Sequence, residues 1–191
     1  MKKFAVGLIT LMALVVYAQA PAAKQQVKST RYGGTSISGY EKITARVSGE
    51  VYTFIYTGAG TTLVSDEDDR WVQMRAPKVE GQVSPNPARK VELQMQWAKA
   101  TGGVHIIIKQ KDTSGTVIRT MNASSDSLDY QQESRTFSLV GNVKVETDKP
   151  KMIQTGTKGT ITLESDGVYT ISFADGTTVF KPEQPEQAPS K

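Results

Sequence analysis

Residues able to do acid–base, nucleophilic or metal chemistry are few and scattered along this chain. It contains one histidine, His105, and no cysteine. His105 sits in Gly-Gly-Val-His-Ile-Ile-Ile-Lys, opposite in strand parity to Val104, Ile106 and Ile108, which suits a surface or semi-buried packing residue. A serine triad would need that imidazole beside a nucleophile. No Gly-x-Ser-x-Gly elbow occurs, and no Ser-x-x-Lys has the required context. Asp66, Glu67, Asp68 and Asp69 form an acidic run. Hard cations want clustered oxygens, but this run lacks a Gly-turned loop and a distal bidentate Glu, so a solvated hairpin tip is expected. No phosphate loop or dinucleotide fingerprint is present, and no motif marks a carboxylate pair for glycoside hydrolysis. The expectation is a non-enzymatic protein with no catalytic residue, no metal and no cofactor. Trp71 and Trp97 are able to stack on a sugar, although a Trp at strand parity more often fills a core. Asn122-Ala123-Ser124 is formally a glycosylation sequon.

With little polar chemistry, the apolar positions carry most of the information. Phe54, Tyr56, Leu63, Val104, Ile106, Ile108, Phe137, Leu139, Val143, Val145, Ile161, Leu163, Ile171 and Phe173 recur with period two. Side chains alternate faces along a strand, so this parity separates a buried face from a wet one. That face is an ordinary core or, in part, the lining of a groove for acyl chains. Burying a methylene contributes about 0.8 kcal/mol, so a greasy groove needs no specific polar contact to hold fatty chains. The groove candidates are Val104, Ile106, Ile108, Phe137, Leu139, Val143, Val145, Ile161, Leu163, Ile171 and Phe173.

The elements that position these residues read as strands. Expected strands are 34–39, 43–49, 51–57, 61–65, 70–76, 78–83, 90–98, 103–110, 116–122, 126–131, 135–147, 158–164, 167–173 and 177–180. Val91, Leu93, Met95 and Trp97 alternate with polar residues and Ala98, which favours strand over helix there. Gly58-Ala59-Gly60, Gly102-Gly103, Asp112-Thr113-Ser114-Gly115, Asp166-Gly167 and Asp175-Gly176 punctuate the runs as turns. Short strands at such spacing predict an all-β fold: a single open jelly roll, stacked-hairpin solenoid, sandwich or barrel. The stretch from Trp71 to Val83 repeats loosely the strand, break, strand layout seen later in the chain.

Lys2 and Lys3, the apolar run Phe4 to Tyr17 and the small residues Ala18, Ala20, Ala22 and Ala23 read as a secretory signal peptide over residues 1–20. The run is shorter than the roughly 20 residues that span a bilayer. An uncleaved inner-membrane anchor is the alternative. No Cys follows to take a lipid. Residues 21–31 read as a flexible lead-in, 32–180 as the β domain, and 181–191, rich in Pro, Glu and Gln, as a disordered tail. The chain has 23 basic and 19 acidic residues. Without Lys2 and Lys3 the balance is near neutral, too weak for a nucleic-acid partner.

Residues 123–145 carry a more specific pattern. Asp126, Leu128 and Tyr130 lie on one strand, Gln131 to Arg135 form a polar turn, and Phe137, Leu139, Gly141, Asn142, Val143 and Val145 follow. This resembles the repeating unit of the OstA-like (LptA-type) family of periplasmic lipopolysaccharide-transport domains, where an Asp-x-Leu-x-Tyr strand leads into Gly-Asn-Val-x-Val. The resemblance covers about one unit. It implies an open, twisted β-jelly roll with a V-shaped section and an apolar interior that holds the lipid A part of lipopolysaccharide or a similar acylated lipid. It also implies a periplasmic location and partnership with other OstA-like domains through edge strands. A secreted β-sandwich adhesion or carbohydrate-binding module, presenting Trp71, Trp97 and the tyrosines as a surface platform, is the competing reading.

Overall fold

A computed structural model describes residues 28–85, 93–164, 168–174 and 176–180, the last of these by backbone alone. The expected signal peptide, most of the lead-in, the C-terminal tail and the first residues of the 90–98 strand lie outside this range. The protein is all-β, an open antiparallel sheet whose described strands number 13. They are β1 (Ser29–Tyr32), β2 (Thr35–Ser38), β3 (Lys42–Ser48), β4 (Val51–Thr57), β5 (Thr62–Asp66), β6 (Arg70–Arg75), β7 (Lys78–Pro85), β8 (Leu93–Lys111), β9 (Val117–Gln131), β10 (Thr136–Asp148), β11 (Lys151–Leu163), β12 (Tyr169–Phe173) and β13 (Gly176–Phe180).

The sheet branches at β8. The first half of β8 pairs with β7, and its second half with β6. Two layers result. An upper layer runs β3-β4-β7 and on through the first half of β8 to β12 and β13. A lower layer runs β1-β2-β5-β6 and on through the second half of β8. The strands β8, β9, β10 and β11 belong to both, and each bends where it passes from one layer to the other.

The bend has a common geometry. Gly102 and Gly103 in β8 stand where β9 has only Asp126, and Gly141 and Asn142 in β10 stand where β11 has only Thr157. Such one-residue bulges bend a strand and need backbone that most side chains resist. All four residues have positive φ: 95° and 91° at Gly102 and Gly103, 78° at Gly141, 47° at Asn142. The earlier rungs cross the same line through outright breaks. Ala76-Pro77 separates β6 from β7, Gly58 to Thr61 separates β4 from β5, and Gly39 to Glu41 separates β2 from β3. These breaks are tied together, with the Gly58 N–H donating to the Pro77 carbonyl at 2.9 Å and the Ala76 N–H to the Thr61 carbonyl at 3.0 Å. The loose repeat from Trp71 to Val83 is therefore one rung of this winding.

Asp126 fastens the corner. The Asn142 side-chain amide donates to both of its carboxylate oxygens, at 3.1 and 3.0 Å. A Cβ on Gly141 would collide with that carboxylate. Three of the residues that carry the family resemblance, Asp126, Gly141 and Asn142, thus build the fold line. The other four point inward: Leu128 and Tyr130, paired in register with Leu139 and Phe137, and the buried Val143 and Val145.

Between the layers lies one apolar core that includes Phe54, Tyr56, Ile106, Leu139, Ile161 and Ile171, each 0–1 % exposed. Fully burying a side chain of this kind contributes about 1.5–3 kcal/mol, enough in sum to hold a chain without disulfides. Tyr32 of the lower layer stacks on Phe54 of the upper at 5.5 Å. Phe173 reaches Gly156 of the lower layer, where a Cβ would lie 2.7 Å from its ring.

Several expectations are corrected. The flexible lead-in 21–31 includes Ser29–Arg31, which pair with β2 as part of β1. The expected pairs 90–98 with 103–110 and 116–122 with 126–131 are each one continuous bent strand. Strand β11 begins at Lys151, well before 158. Met95 and Trp97 do not share a face, because a register shift between Gln82 and Val83 turns Trp97 outward.

The corner yields a test. Ala at Gly141 should cost well over about 1 kcal/mol in urea unfolding, since backbone strain and the collision with Asp126 add together. Ala at Gly103 meets nothing within 4 Å, so it should cost only the backbone part. Equal losses would mean that Asp126 does not brace the corner.

Candidate functional site: the interior and its clasp

Every groove candidate projects into the space between the layers. Ile106, Ile108, Phe137, Leu139, Val143, Val145, Ile161, Leu163, Ile171 and Val104 are buried, and Phe173 packs partly buried against them. Val104, Ile106, Ile108, Val143 and Val145 line the lower layer. Phe137, Leu139, Ile161, Leu163, Ile171 and Phe173 line the upper. In this form the faces interdigitate, so an acyl chain gains this surface only if the layers part.

The layers are covalently continuous along the fold line. On the opposite side, the mouth, they meet through side chains at strand ends. The β5–β6 tip carries the acidic run and the β9–β10 turn carries Arg135. Arg135 forms an ion pair with Asp69. Arg70 is buried, with its side chain 5 % exposed, and its Nη2 lies 2.6 Å from Glu67 Oε2. The same Nη2 donates to the Tyr130 hydroxyl of the upper layer at 3.4 Å. Tyr130 in turn donates to Gln132 and stacks on Phe137 at 4.5 Å. Within the lower layer, Lys111 pairs with Asp66. Farther along the mouth, Arg119 of the lower layer lies 4.9 Å over the ring of Tyr169 in the upper, and its Nε donates to the Lys149 carbonyl at 2.6 Å.

The acidic run is at a hairpin tip as expected, but it is a pairing hub rather than a merely solvated end. Asp66, Glu67 and Asp69 each engage a cation. Sequence reading missed these partners because Lys111 and Arg135 lie 45 and 66 residues from theirs. The one available signal was Arg70 itself, a cation at an inward parity beside Val72 and Met74.

His105 is exposed on the outer surface. Trp71 and Trp97 also face outward, but from opposite layers. Lys109 covers Trp71 at 4.8 Å from the ring centroid, and Trp97 donates to Gln82 at 3.2 Å. Neither fills the core, and they do not form one sugar-stacking platform. Among the described residues no three His, Asp or Glu side chains are grouped to hold a metal, and no helix is long and apolar enough to cross a membrane.

Strand β3 ends the upper layer. All seven of its residues are exposed, and Ile43 and Val47, on the inward-facing parity opposite Tyr56 and Tyr52, are 42 % and 59 % exposed. The interior surface therefore runs out past the covering layer at this edge.

The chain matches no protein-family model, and no curated protein is similar to it in sequence.

Burial raises the Tyr130 hydroxyl to about 12, against the opposing pull of the Arg70 charge. Burial likewise raises Tyr169 to about 12, opposed by Arg119. Burial also pushes Tyr56 upward. A folded pKa above the unfolded value of about 10 means that the folded state resists losing the proton. This contribution is full below pH 10 and is lost as pH rises from 10 to 12. Urea midpoints should therefore hold up to about pH 10 and then fall, with a shallower fall in Tyr130→Phe. Identical alkaline profiles for the variant and the parent would show that Tyr130 is not held neutral at the mouth.

Proposed function

We propose that this protein is a non-enzymatic, exported carrier that takes the acyl chains of lipopolysaccharide, or of a similar lipid, between its two layers. The observation that carries the reading is the combination of one long apolar interior with a mouth held by side chains. The layers are joined along a glycine-rich fold line and fastened opposite it by side-chain contacts: the Asp69–Arg135 pair, the Arg70–Tyr130 hydrogen bond and the Arg119–Tyr169 contact. Exposed ion pairs contribute about 0–1 kcal/mol each, whereas each acyl methylene moved from water contributes about 0.8 kcal/mol. A few methylenes outweigh such a pair, and acyl contacts replace the interlayer contacts given up. The resemblance around Asp126, Gly141 and Asn142 supports the same reading and, with the apolar N-terminal run, a periplasmic location. The exposed edge β3 supports association with similar β domains by strand addition.

The test is photo-crosslinking of the mature protein to lipopolysaccharide. Probes belong at Leu139 and Ile171 in the interior and at Ile43 and Val47 on the uncovered margin, with outward His105 as control. Crosslinks at inward positions, competed by lipid A and not by free sugar, are expected. Labelling of His105 alone, or no labelling of folded protein, would contradict the reading.

A further inference from the structure

Arg70 is an unusual residue to find between two apolar layers. Its Nη2 is occupied by Glu67 and Tyr130, but its Nη1 is buried and has no hydrogen-bond partner among the described residues. Arg135 Nε, at the same mouth, is likewise without a partner. Both atoms are donors, and a buried guanidinium donor left unmade is costly. An acceptor-only oxygen group, such as a carboxylate or a phosphate, satisfies such a donor at Arg70 Nη1. Arg70 also lines a cleft between the layers, walled by Leu63, Val72, Met74, Met95 and Phe137. Its enclosed part has room for about one water molecule. Met74 and Met95 are the walls best able to yield, since thioether side chains adapt to irregular shapes.

We infer that Arg70 anchors a compact oxyanion head, carboxylate or phosphate monoester, whose single alkyl chain enters the interior between Met74 and Met95. The site rests on the carrier reading for its apolar half and adds a charge-selecting half that greasy packing alone lacks. Glu67 competes with the incoming anion for the same guanidinium.

The experiment is calorimetric titration of the mature protein with decanoate, decyl phosphate and decanol, which share a chain and differ in head. At least one anion should bind ten-fold or more tightly than decanol, and the stronger of the two identifies the head. Arg70→Gln should reduce that preference to near unity while leaving decanol binding in place. Glu67→Gln should strengthen anion binding several-fold. Equal affinity for all three heads in the parent, no binding to folded parent, or an undiminished preference in Arg70→Gln would overturn the assignment. If Arg70→Gln fails to fold by near-ultraviolet circular dichroism, the parent series and Glu67→Gln decide it. Lipopolysaccharide crosslinking without decanoate or decyl phosphate binding would sink this site alone. Arg70-dependent anion binding without lipopolysaccharide crosslinks would sink the carrier reading alone.

Discussion

Everything in this fold depends on bending long β-strands along one line without losing their pairing. A strand crosses from one layer to the other only where its backbone can turn sharply, and the chain meets that demand in two ways. β8 and β10 insert an extra residue in left-handed geometry at Gly102-Gly103 and Gly141-Asn142. The earlier rungs stop and restart across Gly39, Gly58 and Pro77. Asp126, gripped by Asn142, keeps the later corner in register. With the hinge fixed there, the apolar faces are forced together, and the mouth is left to side chains.

That asymmetry separates stability from opening. Parting the layers at the fold line would break backbone ladders along several strands. Parting them at the mouth breaks the Asp69–Arg135 ion pair, one long hydrogen bond from Arg70 and an Arg–Tyr contact; in the proposed carrier it also exchanges apolar contact between layers for apolar contact with a guest. An exposed ion pair such as Asp69–Arg135 contributes little in water. Arg70 differs because it is buried, so its partners matter more than its exposed neighbours do. The mouth is thus the weaker seam and, in the proposed carrier, the place for charge selection.

Much of the fold was legible in the sequence because alternation survives wherever bulges preserve it. Phe137, Leu139, Val143 and Val145 share a face across the corner, since β10 carries the extra residue that keeps parity. In β9 the parity flips between Ala123 and Leu128, because β9 carries no such residue. No local pattern announces that difference; it is set by neighbouring strands. Residues 151–157 carry no strand signal of their own, because Lys, Gln, Gly and Thr dominate there, and pairing with β10 supplies the order that propensity does not. The candidate interior was legible as a face. Its clasp was not, because Asp69 and Arg135 acquire meaning only when the layers close.

The most direct test of the account is the width of the mouth with and without lipid. Because the chain has no cysteine, spin labels can be placed uniquely at Thr113 and Glu133, exposed turn residues at the mouth ends of the lower and upper layers. A second pair at Thr101 and Thr157 reports on the fold line. Pulsed electron-spin distances should lengthen for Thr113–Glu133 when lipopolysaccharide binds and stay fixed for Thr101–Thr157. An unchanged mouth distance in lipid-loaded protein, or a change confined to the fold line, would contradict the account.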